Sequence, residues 1–152
     1  DRVLARPLLD RSWREALAAV EWNTAAPGLW AMMHYNGVRK LNQRLVEGDL
    51  VDLGAGKGGV SAAMALSQIR FGSSLRGLWL FDTFAGIPPP LNRSMERRAD
   101  LWVWESIQNG TLPPWHPEWQ HVNHAERTWR HAPVFESQIA IAQTGYPFEL
   151  VS

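Results

Sequence analysis

The residues best placed to do chemistry stand in one run, GDLVDLGAGKGGVSAAM, residues 48–64. Asp52 precedes Gly54, Gly56, Gly58 and Gly59, with Lys57 among the glycines and Ser61 just behind them. A second carboxylate, Asp82, closes the apolar stretch GLWLFD at residues 77–82. Glycines after a strand let the backbone approach a ligand where side chains would clash. A helix opening directly behind them offers N–H donors to an anionic group. Three ligands compete for such a loop: a nucleoside triphosphate, a dinucleotide, or another adenosine cofactor.

The triphosphate reading fails on its own chemistry. A P-loop lysine is followed by Ser or Thr, whose hydroxyl holds the magnesium ion; here Lys57 is followed by Gly58. The dinucleotide pattern G-x-G-x-x-G is met literally by Gly54, Gly56 and Gly59, with Asp82 as the acid after the second strand. Asp52 argues against a pyrophosphate, because a carboxylate that close would repel it. It suits a cofactor that carries a positive charge. Asp82 would then accept the ribose hydroxyls. Ser61 has two roles open to it, a bond to the cofactor's carboxylate or one to its own backbone. Lys57 is given no role.

The pattern D-x-G-x-G-x-G from Asp52 to Gly58 resembles motif I of the class I S-adenosylmethionine-dependent methyltransferases. Together, GDLVDLGAGKGGVSAAMA and LWLFDTFAGIPPP are similar to the macrocin O-methyltransferase family of antibiotic-sugar modifying enzymes. MMHYNGVRKLNQRLV resembles that family's helix before the first strand, and TGYPFELVS its approach to the third. The resemblance covers about residues 32–90 and again 137–152, with a poor match between. It departs at Ala55 and Lys57, where the family usually has a bulky residue and Arg.

The resemblance implies S-adenosylmethionine as cofactor, held by Asp52, Gly54, Ala55, Gly56, Gly58, Gly59, Ser61, Asp82, Thr83, Phe84 and Met33. It implies O-methylation of a hydroxyl on a sugar-like or natural-product small molecule. A divalent cation such as magnesium is implied by the family alone, with its ligands and the catalytic base outside this chain. No catalytic residue is therefore assigned. Two readings stand beside it: a non-catalytic methyltransferase-like binding module, and an NAD-type oxidoreductase fragment.

The elements that must position these residues follow from periodicity. LLDRSWREALAAVEW (8–22) and GVRKLNQRLVE (37–47) have helical spacing, the latter ended by Gly48. DLVDL (49–53) reads as a nearly continuous buried strand of the parallel kind. GGVSAAMALSQIRFG (58–72) predicts a helix stopped by Gly72, and GLWLFDTF (77–84) a second strand. A helix over 95–109 ends at Asn109-Gly110, and TLPPWHPEWQHVNH (111–124) is irregular. A last helix from Ala132-Pro133 to Thr144-Gly145 leads into a third strand at YPFELVS.

Alternating strands and helices predict an α/β fold, a Rossmann-like parallel sheet with flanking helices and about three strands. The expected organisation is one domain, itself a piece of a longer protein. It comprises N-terminal helices (1–47), a cofactor-binding core (48–90), a Trp/Pro-rich insertion or lid (91–131), and a closing helix and strand (132–152).

Bulk composition narrows the function classes. Fifteen basic and fifteen acidic residues balance, which removes the basic footprint of a nucleic-acid binder. The chain has no cysteine, so disulfides and thiolate metal sites are excluded. No apolar run approaches the ~20 residues that span a bilayer, and a cytoplasmic protein is expected. His116, His121, His124 and His131 match no compact zinc spacing. Trp102, Trp104, Trp115, Trp119 and Trp129 could build an acceptor pocket, a lid or an oligomer interface, and a homo-oligomer is one expectation.

Overall fold

The computed structural model describes residues 18, 28–88 and 98–152, in two compact units. The helix expected over 8–22 lies outside the described residues. The first unit comprises the described residues up to Asp82 together with Val134–Ser152; the second comprises those from Thr83 to Pro133.

In the first unit, α1 runs Gly28–Gln43 rather than from residue 37. The stripe Ala31, Met32, Tyr35 and Val38 is buried and carries the helix toward its N-terminal side. The helical spacing of 37–47 puts Leu41, Leu45 and Val46 on one stripe with Val38, yet these three are exposed. The helix stops early because the chain turns back on itself. Leu45 N–H donates to Asn42 O (3.1 Å) and Val46 N–H to Leu41 O (3.0 Å), with Leu45 left-handed at φ 54. This is the Schellman pattern, with leucine in the place usually held by glycine.

Next come β1 (Leu50–Leu53), α2 (Gly59–Phe71) and β2 (Leu78–Phe81). The strands pair in parallel, with Leu50 opposite Leu78 and Leu53 opposite Phe81. Parallel pairing requires a crossover, which α2 supplies. Its small side chains Ala62, Ala63 and Ala65 are buried, as are Ser61, Ser67 and Gln68, so neighbouring helices can approach closely. α1 and α4 (Val134–Ala142) contact it, sharing a core of Ala31, Tyr35, Ala62, Ala63 and Ala140. Toward the sheet, Val38, Met64, Ala65, Ile141 and Tyr146 pack with Leu50 and Leu78.

β1 is not buried on both faces, as the apolar run had implied. Burial alternates, with Leu50 and Asp52 inside and Val51 and Leu53 exposed. Their register partners Trp79 and Phe81 are exposed beside them. The third strand is only begun: after a 3-10 turn at Phe148–Leu150, Val151 forms a single parallel bridge with Leu78.

The second unit is more regular than its prolines suggested. α3 (Arg98–Asn109) ends as expected at Gly110, whose φ is +69. A 3-10 turn at Trp119–His121 leads into an antiparallel pair, β3 (Val122–Asn123) with β4 (Thr128–Trp129). Val103, Ile107, Leu112 and Trp129 form its core, with Trp104, Trp119 and Val122 packed around them. Gly86 lies against β4: an added Cβ would stand 2.5 Å from Trp129 O, and Ile87 N–H donates to that same oxygen at 2.8 Å.

Candidate cofactor site

The candidate site lies where β1 and β2 end. Gly54 N–H donates to Phe81 O at 2.7 Å, extending the parallel ladder one residue past the strands. The chain then turns through Gly54, Gly56 and Gly58, with φ of +91, +50 and +82. All three are left-handed, where a side chain is strained. Beyond that they differ. A Cβ on Gly54 or Gly56 would meet nothing within 4 Å, whereas one on Gly58 would stand 2.7 Å from Ser137 Cα on α4. Open space therefore lies over the first two glycines, while the third is spent on packing against a helix.

Two carboxylates fix this loop. Asp52, nearly buried on β1, accepts a 2.5 Å hydrogen bond from the fully buried Ser61 hydroxyl on α2. The Ser61 hydroxyl thus holds the strand carboxylate rather than its own backbone. Asp82 accepts a 2.9 Å hydrogen bond from Gly56 N–H, tying the loop tip to the end of β2. Gly58 is the N-cap of α2, and Lys57 pairs with Glu136 on α4 at 3.4 Å. Both charged groups of that pair are partly exposed, so it contributes little.

Within this unit the fold brings together Asp52, Gly54, Ala55, Gly56, Gly58, Gly59, Ser61 and Asp82. Ala55 is buried and donates its N–H to Phe81 O at 3.3 Å. Met33 lies on α1, 60% exposed, outside the core clusters. Thr83 and Phe84 open the second unit, where Thr83 Oγ1 donates to Gly86 O at 2.9 Å and Phe84 is left-handed at φ 53. Sequence reasoning missed Ser137 and Glu136, the α4 residues that shape the back of the loop. Only Gly58 hinted at them, as a glycine more than the open part of the turn requires.

These features fit an adenosine cofactor with a charged amino-acid end. Gly54 and Gly56 leave a cradle that a Cβ would fill, and two carboxylates of different burial flank it. The sequence model of the family described as Macrocin-O-methyltransferase (TylF) matches residues 31–109, just over half the chain. The chain belongs to the macrocin O-methyltransferase family. The match takes in most of α1, then β1, the glycine loop, α2, β2 and α3. It runs past residue 90 into the segment expected to match poorly, and it stops short of 137–152, expected to match. No curated protein and no solved structure matches the chain.

A methyltransferase family agrees with the α/β architecture and the parallel strand pair observed here. Among the described residues, no group of three or more His, Cys, Asp or Glu side chains converges as a metal site would. The histidines are engaged separately: His116 Nδ1 accepts Glu118 N–H at 3.2 Å, and His124 lies 4.0 Å from the Trp119 ring. No described helix is long and apolar enough to cross a membrane.

Proposed function

We propose that this chain carries the cofactor-binding part of an S-adenosylmethionine-dependent O-methyltransferase acting on a hydroxyl of a sugar-like or natural-product small molecule. The observation that carries the reading is the glycine loop itself. A Cβ on either of its first two glycines would meet nothing within 4 Å, Asp82 holds its tip at Gly56, and Asp52 bonds Ser61 behind it. When bound, the cofactor supplies an electrophilic methyl group on sulfur. This chain's residues hold and orient it: Asp52 toward the ammonium end, Asp82 toward the ribose hydroxyls, and the loop backbone beneath. Ser61 acts through Asp52 as a positioning residue. A nearly buried carboxylate beside the glycines favours a cationic ligand over a pyrophosphate.

Calorimetry with S-adenosylhomocysteine and with NAD tests this directly. We expect S-adenosylhomocysteine to bind and Asp82→Ala to weaken it by about tenfold or more, the scale of a hydrogen bond to a charged group. Binding of NAD alone would overturn the reading. A binding-competent loop that is indifferent to Asp82→Ala would overturn the assignment of the ribose contact.

A further inference from the structure

α1 is apolar on two opposite faces, and the core of its own unit uses one of them. Ala31, Met32, Tyr35 and Val38 are buried there. On the far side Leu29, Met33, Gly37 and Leu41 recur every four residues, a spacing that stacks them along one face of a helix. Leu29 and Met33 are more than half exposed, as is Trp30 beside them, and Leu41 is exposed too. His34 Nδ1–H donates to Trp30 O at 2.8 Å, and its ring stacks on the indole at 6.4 Å, which holds Trp30 at the margin of the stripe. Gly37 stands in the middle, where an added Cβ would meet nothing within 4 Å. Glycine is a poor helix former; here it leaves a notch between Met33 and Leu41. A contiguous apolar group of this kind marks a contact surface.

The occupant is indicated by the chain itself. Residues 8–22 lie outside the described residues except Ala18, which is helical and exposed. Helical spacing puts Leu9, Trp13, Leu17 and Val20 on one stripe, and Arg11, Arg14 and Ala18 on the other side. The exposure of Ala18 agrees with that division. Only residues 23–27 separate the segment from Gly28. Connections of that length join antiparallel neighbouring helices. Folding back about residue 25 sets Val20 opposite Trp30, Leu17 opposite Met33, Trp13 opposite Gly37 and Leu9 opposite Leu41. The largest side chain of one stripe falls on the notch of the other, and Asp10 comes level with Lys40.

A second copy of the chain is the rival occupant. The few side chains of this stripe fall well below the ~800 Å² per partner that a stable interface buries. A segment tethered by a short connector, by contrast, is present at an effective concentration on the order of mM.

We propose that residues 8–22 dock as a helix antiparallel to α1 on its outer face, with Trp13 seated over Gly37. The contact braces α1 against α2, the helix whose N-cap Gly58 ends the glycine loop. It holds whichever ligand that loop takes.

The chain has no cysteine, so paired cysteines test the register in the full chain. Leu17→Cys with Met33→Cys should oxidise to a disulfide within one molecule, read as two thiols lost from a monomer. Leu17→Cys with Leu41→Cys, about 12 Å further along α1, should not close. Failure of the first pair or equal closure of both overturns the proposal. A disulfide-linked dimer in place of the monomer overturns it in favour of a second copy.

Gly37→Leu gives a second readout. On an open helix face this change raises stability through helix propensity. With Trp13 over the position it should instead lower the urea midpoint by roughly 0.5 M, and Trp13→Ala should restore part of the loss. A raised midpoint, or an effect that Trp13→Ala leaves unchanged, sinks the docking as well.

Discussion

Gly56→Ala and Gly58→Ala add the same methyl group two residues apart, yet their consequences should differ in kind. Both positions are left-handed, at φ +50 and +82. Either alanine therefore costs about 1–2 kcal/mol in backbone strain. At Gly56 nothing lies within 4 Å of the new carbon, so strain is the whole penalty. At Gly58 the carbon would stand 2.7 Å from Ser137 Cα, 2.9 Å from its Cβ and 3.0 Å from its carbonyl oxygen. Two of those atoms are backbone, so α4 itself must shift, at an overpacking cost of about 1–3 kcal/mol. Gly58→Ala should then lose roughly 2–5 kcal/mol in all, a large share of the ~5–15 kcal/mol that holds a domain folded. Urea unfolding followed by far-UV circular dichroism gives the two midpoints, and calorimetry with S-adenosylhomocysteine gives the two affinities. Gly56→Ala should remain folded and lose affinity, because its methyl enters the cradle. Equal midpoints for the two variants would refute the claim that α4 presses on the loop. Unchanged affinity in folded Gly56→Ala would refute the claim that the open space belongs to the cofactor.

Ser61→Ala removes the only side-chain donor seen on Asp52 among the described hydrogen bonds and should cost about 1–3 kcal/mol in urea unfolding. In an Asp52→Asn background the cost should shrink, as a double-mutant cycle would register; equal costs would mean that the two groups are not coupled. Leu45→Gly should raise stability by about 1 kcal/mol, because an exposed leucine holds a left-handed cap; a loss would show that the side chain packs. Glu118 has its pKa lowered by the Arg130 hydrogen bonds first and the Trp129 indole after them, with partial burial opposing. Its contribution is complete above the ordinary value of 4.5 and vanishes as pH falls through the lowered folded value. Acid unfolding of Glu118→Gln should lack that limb, and a profile identical to the parent's would remove the ion pair from the account.

The glycine turn was legible because it obeys local rules. Asp52, the glycines and Asp82 sit at fixed offsets from strand ends, and strand ends are announced by apolar runs. Gly110 closed α3 for the same reason, since a helix C-terminus favours a residue that is at ease with positive φ. What failed was non-local. The buried side of α1 is chosen by α2, whose alanines accept Tyr35 and Ala31, and residues 37–47 taken alone cannot show that. Ser61 bonds a carboxylate nine residues back because the strand-to-helix turn brings them face to face. Gly58 meets Ser137 across 79 positions of sequence, which no motif encodes. The tryptophan-rich stretch looked irregular because its prolines hide a hairpin with strands of only two residues each.

The two ends of the strand pair are finished in opposite ways, and this asymmetry bears on the proposed binding end. The entry end has a groove of about 380 Å³ lined by Asn42, Asp49, Ser74 and Arg76. Its Asn42, Asp49 and Arg76 side chains are already paired. The Arg76 guanidinium donates to Gly48 O at 2.6 Å, to Val46 O, and to Asn42 Oδ1 at 3.2 Å. Asp49 accepts from Trp79 Nε1 at 2.9 Å and from Gly77 N–H at 3.0 Å, and these bonds hold its carboxyl below the ordinary range. A ligand engaging those three side chains would have to compete with these bonds. At the exit end the loop leaves space over Gly54 and Gly56 and spends its internal bonds on its own two edges, at Asp52 and Asp82. In open parallel sheets ligands bind beyond the carboxyl ends of the strands. Here the contrast can be named residue by residue: at the entry end Asp49 and Arg76 are tied up in the protein's own hydrogen bonds, and at the exit end Gly54 and Gly56 face open space.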